Sequence, residues 1–527
     1  MTPHAYDAVV IGAGPNGLVA ANHLVDAGRS VLVLEAQSEP GGAVRSDREL
    51  HPDFVQDTFS AFYPLAAASP WIQGMRLEEH GLVWRHAPAV LGHPLPDGRW
   101  ALQHRDRTIT AALLEAQQPG DGDAWLGLCE QWDVIGEHLV GALLTPFPPV
   151  RHAAGGLLRL RRAGGAGFVR DLLTPLTDFS RIRFEGDAPA LLLAGNAGHA
   201  DIPLSAPGST LFGLLMTMLG QTVGFPVPEG GAGQLIAALA RRLAAKGGHL
   251  RCDSEVVRIE VEGGRAVGVR LADGERIAAR IVVADVVAPT LFGGLVAEAE
   301  LPSRVAKGMR GFQLDPGTVK VDWALSGPIP WASPPAYAPG TFHMADSPEQ
   351  LAIALQQVAA RTIPDKPFLL GGQMTTSDPT RSPAGTESAW AYTHVPQDVA
   401  HDAGGDGLTG RWDRDECERF ADRMQGRIEA LAPGFGSRVI ARRVLGPHEL
   451  QARDANLLGG AINGGTAQLH QELIFRPVPG LGRAETGIKG LYLGSASAHP
   501  GGGVHGAPGM NAARAALLHD RLRLRRR

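Results

Sequence analysis

The chain has 527 residues, 44% of them hydrophobic and 20% charged, with a formal net charge of −5. That length exceeds what one hydrophobic core organises, so two domains or one domain with a large insertion are expected; the charge gives no reason to invoke nucleic acid. Three widely spaced cysteines, Cys129, Cys252 and Cys417, exclude a disulfide framework and a paired-cysteine redox centre, and point to a reducing, cytoplasmic interior.

The first predicted strand, Tyr6 to Ile11, is an apolar run suited to burial on both faces, and its early start leaves no room for a signal peptide. Gly12, Ala13, Gly14, Pro15, Asn16 and Gly17 follow without a spacer, apolar residues at helical spacing run from Leu18 to Ala27, and Gly28 supplies the stop. A second strand, Ser30 to Leu34, ends on Glu35, 23 positions after Gly12. Among 68 glycines this triplet spacing arises by chance roughly once per chain. The flanking strand, helix, second strand and acid turn it into a dinucleotide-binding fingerprint. Gly12 allows the turn, Gly14 lets a pyrophosphate approach, Gly17 lets helix and strand pack closely, and the helix amino end attracts phosphate. Glu35, with Ala36 beside it, is placed for the ribose hydroxyls.

Within ten residues of Glu35 come Gly41, Gly42 and Arg45, where a nicotinamide domain would enter another crossover helix. From Leu77 to Phe225 strand signals thin out. Helical segments are expected at Asp121 to Leu144, Gly165 to Leu176, Ala188 to Ala194 and Ser209 to Thr222. The apolar stretch Thr210 to Gly220 is too short to span a bilayer. A helix from Leu235 to Lys246 precedes three short strands turning at Gly263-Gly264 and Asp273-Gly274 and ending on Asp285. Strands of a second, mostly antiparallel sheet are predicted at Val319 to Leu325, Phe368 to Met374 and Ser388 to Val395, and a long helix at Asp413 to Ala432. The last motif runs from the strand Gly490 to Gly494 through His499, Gly501, Gly502, Gly503, His505, Gly506 and Gly509 into a helix opened by Met510 and Asn511.

Tyr6 to Ser46 resembles the FAD-binding amino-terminal segment shared by amine oxidases, phytoene desaturases and carotenoid isomerases. The closing motif, with Asn463 to Gly465, Gln471 and Phe475 to Pro477, is most similar to the branch named pyridine nucleotide-disulfide oxidoreductase domain-containing protein 2. The resemblance implies an α/β Rossmann-like FAD domain from residues 1–76, 228–300 and 436–527, with an α+β substrate domain from 77–227 and 301–435. It also implies that the paired-glycine loop and Arg45 lie near the cofactor's ribityl and pyrophosphate, that Val256 and Val257 meet the adenine, and that Gly494, Gly502, Gly503, Gly509, Met510 and Asn511 bind at the flavin end.

The implied chemistry is a desaturase-like dehydrogenation, with hydride passing from a hydrophobic, isoprenoid or lipid-like substrate to flavin N5. Oxygen or a quinone is the expected electron acceptor, with no nicotinamide and no metal. An amine oxidase, a non-redox isomerase and a prenyl-binding escort protein are the alternatives on this fold. No catalytic base is assigned; His499, His505 and Asp285 are weak candidates, while Asp57, His394, His470, Gln471 and Arg476 are polar positions expected near flavin or substrate. Arg45 and Arg476 could clamp a carboxylate. The basic stretches Arg151 to Arg170 and Arg521 to Arg527 are candidates for peripheral contact with anionic lipid.

Overall fold

The computed structural model describes residues 6–524, so the last three arginines of the run Arg521 to Arg527 lie outside the described residues. Two seven-stranded sheets carry the fold. In the first, Tyr6–Ile11 lies between Val31–Leu34 and Arg276–Ala284, parallel to both. His249–Arg251 extends the sheet beyond Val31–Leu34. Arg276–Ala284 is long enough to serve two neighbours on one edge: its start pairs with the meander Val256–Glu262 and Arg265–Leu271, and its end pairs in parallel with Leu491–Leu493. One face packs on the helices Pro15–Asp26, Gly233–Ala245 and Ala507–Leu524 through Val10, Val33, Leu18, Leu239 and Ala516. The other packs on the meander and on Leu291 and Phe292. Burial on both sides is why these strands read as unbroken apolar runs. The connections leave Tyr6–Ile11 in opposite directions, so the ligand crevice of this architecture falls at the carboxyl ends of the strands.

The second sheet runs in the order Val439–Leu445, Gly317–Leu325, Glu387–Val395, Leu369–Gln373, Pro339–Met344, Ala89–Pro94, Trp100–Gln103. Every pairing is antiparallel except that of Pro339–Met344 with Ala89–Pro94. Val319, Val321, Trp323, Ala389 and Ala391 face the amphipathic helix Arg414–Leu431, which covers them with Phe420, Met424 and Ile428. Over part of the opposite face lie the helices Asp121–Leu144, Asp187–Ala197 and Ser209–Thr222, packed through Trp125, Leu192, Leu193, Leu214 and Met218 onto Leu91, Ala101 and Leu370.

Two expectations are corrected. Strands Ala89–Pro94 and Trp100–Gln103 lie inside the stretch read as helical; Gly92, His93 and Pro94 break the apolar pattern, and both strands are stabilised by burial beneath distant helices rather than by local propensity. Val439–Leu445 falls after the expected boundary at 436 yet pairs with Gly317–Leu325, so it belongs to the second sheet.

The sheets are joined by a buried network of charges. Arg381, fully inaccessible, donates to Asp57 Oδ2 and Asp378 Oδ2, each at 3.0 Å, and both carboxylates are equally buried. Asp57 also accepts the Ala232 N–H and the Ser46 hydroxyl, and Asp378 accepts the Gly230 N–H. Lys320 on the second sheet reaches the Asp57 carbonyl and pairs with Asp322, while Arg443 bridges Asp322 and Asp47. Such a group of ions is tolerated in a protein interior only because every member is paired and hydrogen-bonded. Replacing Arg381 by Met should therefore destabilise the protein by about 3–5 kcal/mol, through two carboxylates left without their cation. Urea unfolding of this variant and of the triple variant Asp57→Asn, Asp378→Asn, Arg381→Met checks it: the triple variant recovers most of the loss, and a single variant as stable as wild type refutes the role.

Candidate cofactor and substrate site

At the carboxyl end of Tyr6–Ile11 the chain turns at Gly12, whose φ of +92° lies in the region that disfavours side chains. A Cβ on Gly17 would collide with the Gly12 carbonyl oxygen, so helix Pro15–Asp26 starts as close to the strand as a backbone allows. Glu35 ends the second strand and accepts the Ala13 N–H at 2.8 Å and the Gln37 N–H at 3.0 Å, which fixes its carboxylate beside the turn. Ala36 follows it on the exposed side. The Ser254 N–H donates to the Glu35 carbonyl, bringing the meander alongside; Val256 there is buried, and Val257 is 42% exposed.

Gly41 donates its N–H to the Ala13 carbonyl, and Gly42 stacks on Gly14, so the paired-glycine loop folds over the first turn. Arg45 points back across Phe59 and donates to the Arg453 carbonyl. Gly494, immediately after Leu491–Leu493, bonds the Ala284 carbonyl and faces Gly509. Gly509 in turn packs directly on the Asn16 backbone, where a side chain would collide. The amino ends of the first and last helices therefore meet, and Met510 and Asn511 sit buried at that junction. Gly502 lies against Asn463 and Gly503 against Leu65.

The two histidines of the closing motif differ. His505 accepts the Ala507 N–H on Nδ1 and, as the matching tautomer, donates Nε2–H to the Gly502 carbonyl. Burial pulls it down to about 4. Both nitrogens are committed, which makes His505 a loop-holding residue. His499 donates Nε2–H to the Thr145 carbonyl at 2.9 Å and leaves Nδ1 buried without a partner.

Asp285 stands apart from both histidines. Its Oδ2 accepts the Gly17 N–H at 2.8 Å beneath the glycine turn. Burial, aided by the nearby Asp454 and Glu35 carboxylates and opposed by that N–H, pushes it up to about 8.

Arg476 is fully buried and spends its guanidinium on Glu472 and the carbonyls of Asn463, Thr466 and Ala496, so it holds the closing loops together and has nothing left for a substrate carboxylate. His470 and Gln471 bond to Gln313 at the segment leading into the second sheet. Asp57 belongs to the inter-sheet network, and His394 stands on the second sheet.

A set of buried polar atoms around these turns lacks any partner among the described residues: Asn16 Oδ1, Arg45 Nε, Asn463 Nδ2, His499 Nδ1 and Asn511 Oδ1. Buried polar groups are ordinarily paired. Orphans of both donor and acceptor type between the first and last glycine motifs fit a cofactor carrying phosphates, hydroxyls and a polar ring.

Lys320, Asp454, His199 and His343 had not been singled out from the sequence. Lys320 and Asp322 did leave a signal, because charges two apart in an otherwise apolar strand must share one buried face.

Residues 10–75 match the family model described as NAD(P)-binding Rossmann-like domain, and residues 153–314 match flavin containing amine oxidoreductase. The chain is 31% identical to pyridine nucleotide-disulfide oxidoreductase domain-containing protein 2 of Mus musculus, over 96% of this chain and 92% of that protein. It is 26% identical to a limonene dehydrogenase polypeptide of Castellaniella defragrans, over 96% and 94%, and 25% identical to the lycopene-forming phytoene desaturase of a Paracoccus species, over 98% of each. Among solved structures, an oxidoreductase from Methanosarcina mazei superposes with a TM-score of 0.60 at 17% identity, over 97% of this chain and 99% of that one.

The Asp285 environment sets a pH dependence. A carboxyl raised from 3.8 to about 8 favours its neutral form in the folded state, so its stabilising contribution is complete below pH 4 and is lost as pH rises through 8. Above that point an anion stands under the phosphate turn. FAD affinity should fall several-fold between pH 7 and 9 in wild type and stay flat in Asp285→Asn, as measured by flavin fluorescence on titration; parallel curves for the two proteins would refute it.

Proposed function

Since this chain belongs to the family of pyridine nucleotide-disulfide oxidoreductase domain-containing protein 2 and is an FAD-dependent oxidoreductase, we propose that it dehydrogenates or desaturates a hydrophobic, isoprenoid or lipid-like substrate. The disulfide chemistry in the family name has no counterpart here, because all three cysteines are free and unpaired. Bound FAD supplies the acceptor for a hydride. In this reading Glu35 holds the ribose, the turn from Gly12 to Gly17 and the loop at Gly41, Gly42 and Arg45 hold the diphosphate, and Val256 and Val257 flank the adenine. The amino end of Ala507–Leu524, with Gly502, Gly503, Met510 and Asn511, offers N–H groups and partial positive charge to the ring.

One observation carries the substrate class. The apolar cluster beneath the helices of the substrate half extends through Phe62 and Leu65 to the closing glycine loop, where Leu65 touches Gly503. Apolar packing that reaches the closing loop leaves few polar partners for a charged molecule on this side and suits an apolar one. Two relatives named for limonene and phytoene, both hydrocarbons, support the same class.

Oxygen or a quinone is the proposed acceptor, since the only complete glycine fingerprint is taken by FAD. Anaerobic mixing of oxidised holoenzyme with isoprenoids, amines, hydroxy acids and NAD(P)H tests this: only apolar alkenes or lipids should bleach the flavin absorbance. Bleaching by amines alone would move the chain to amine oxidation, rapid reduction by NADH would overturn the acceptor assignment, and product without bleaching would indicate isomerisation.

We further propose a peripheral lipid contact at helix Val150–Leu160, which buries none of its residues. Val150, Leu157 and Leu158 are 69–84% exposed, and Arg151, Arg161 and Arg162 make no ion pair with a described residue. Apolar side chains ringed by arginine match an anionic membrane interface. Thr145, which ends the preceding helix Asp121–Leu144 five residues before Val150, accepts from His499 of the closing motif. No helix among the described residues is long and apolar enough to cross a membrane. The protein should sediment with phosphatidylcholine vesicles containing a quarter phosphatidylglycerol and not with pure phosphatidylcholine. Leu157→Asp with Leu158→Asp should cut the bound fraction at least fivefold, and an undiminished fraction would refute this surface.

A further inference from the structure

On strand Glu387–Val395, Ala389, Ala391 and Val395 face the long helix, which leaves Trp390, Tyr392 and His394 on the opposite, inner face. Across the ladder Thr318 stands opposite His394, and Lys320 opposite Tyr392. His394 is only 3% exposed, and neither ring nitrogen has a well-formed hydrogen bond to a described residue, although the Gly198 backbone lies close enough to favour the protonated ring. Thr318 Oγ1 is likewise buried and unpaired. Next to them Tyr392 Oη approaches His199 Nδ1 at 3.3 Å, and His199 Nε2 approaches His343 Nε2 at 3.2 Å.

This group lies beside the closing loops. Segment 459–465 grips both: a Cβ on Gly460 would come within 3.2 Å of the Thr318 nitrogen, and Asn463 Oδ1 lies 2.7 Å from where a Cβ on Gly502 would be. No uncommitted cation among the described residues faces it. Burial pulls His199 down to about 3 and His394 to about 4, so both rings are neutral at physiological pH. Lys320 is held by Asp322 and the Asp57 carbonyl, and the Arg476 guanidinium is filled by carbonyls and Glu472. On the acidic side, Asp201 is occupied by the Thr466 hydroxyl and the Ala467 N–H. A carboxylate would find no free cation here. A neutral oxygen would find a donor and an acceptor on His394 and a hydroxyl on Thr318.

We infer that the inner face of the second sheet, at His394 and Thr318, is a binding pocket for one hydroxyl or carbonyl oxygen on an otherwise apolar substrate. The inference rests on the hydrophobic-substrate reading and adds a polar end to that substrate. A site built around buried polar groups discriminates strongly against the analogue that leaves them unpaired.

Farnesol and farnesene, alike except for the hydroxyl, are the probes. Their affinities for FAD-loaded protein are read anaerobically from quenching of tryptophan fluorescence. Wild type should bind farnesol at least tenfold more tightly; His394→Phe should bring the two within twofold. Thr318→Val provides the same comparison should His394→Phe fail to retain FAD. Equal binding of both probes to wild type, or a preference that survives both substitutions, overturns the pocket and leaves the apolar-substrate reading intact. Binding of neither probe overturns both.

Discussion

The placement of the two sheets depends on one buried cation. Arg381 lies where the second sheet meets the start of the chain, and its two carboxylate partners come from opposite sides of that junction: Asp57 from the segment following the paired-glycine loop, Asp378 from the turn between two strands of the second sheet. Each carboxylate also accepts a backbone N–H from the stretch Gly230 to Ala232 that opens helix Gly233–Ala245. Three chain segments far apart in sequence are thus fixed at one point. Because an unpaired ion would be so costly there, the junction has one arrangement rather than several.

The cofactor end depends on proximity of backbone rather than charge. Gly17 against Gly12 and Gly509 against Asn16 bring two helix amino ends and one strand end into a space where Cβ atoms do not fit. Concentrating N–H groups in this way adds positive potential from the backbone itself. The polar atoms left without partners surround the same region. The protein has therefore built half of a hydrogen-bond network that its cofactor completes.

Legibility in the sequence follows from how local each signal is. Tyr6 to Glu35 was readable because strand, turn, helix and acid are contiguous and each uses a residue type that the geometry demands. Asp121–Leu144 and Ser209–Thr222 were bounded correctly because their apolar runs are long and end in recognisable breaks. Ala89–Pro94 was not, since its strand state comes from parallel pairing with Pro339–Met344, far along the chain. Asp57 and Arg381, 324 positions apart, carry no mark of their pairing. The placement of Asp285 under the phosphate turn was also hidden: a strand-end acid is consistent with catalysis, and only the contact with the Gly17 N–H gives its position.

The first sheet draws its strands from three separated stretches, residues 6–34, 249–284 and 491–493. During synthesis Tyr6–Ile11 is made first, but Arg276–Ala284 and Leu491–Leu493, which complete its sheet, come roughly 270 and 480 residues later, a delay on the order of tens of seconds to minutes at about 5–20 residues per second. The second sheet, complete once Leu445 has been made, can precede it. The nucleotide-binding half is thus begun before the second sheet and completed after it, and in between its apolar strands await partners that do not yet exist. Until those partners are made, its apolar strands are open to pairing with other chains.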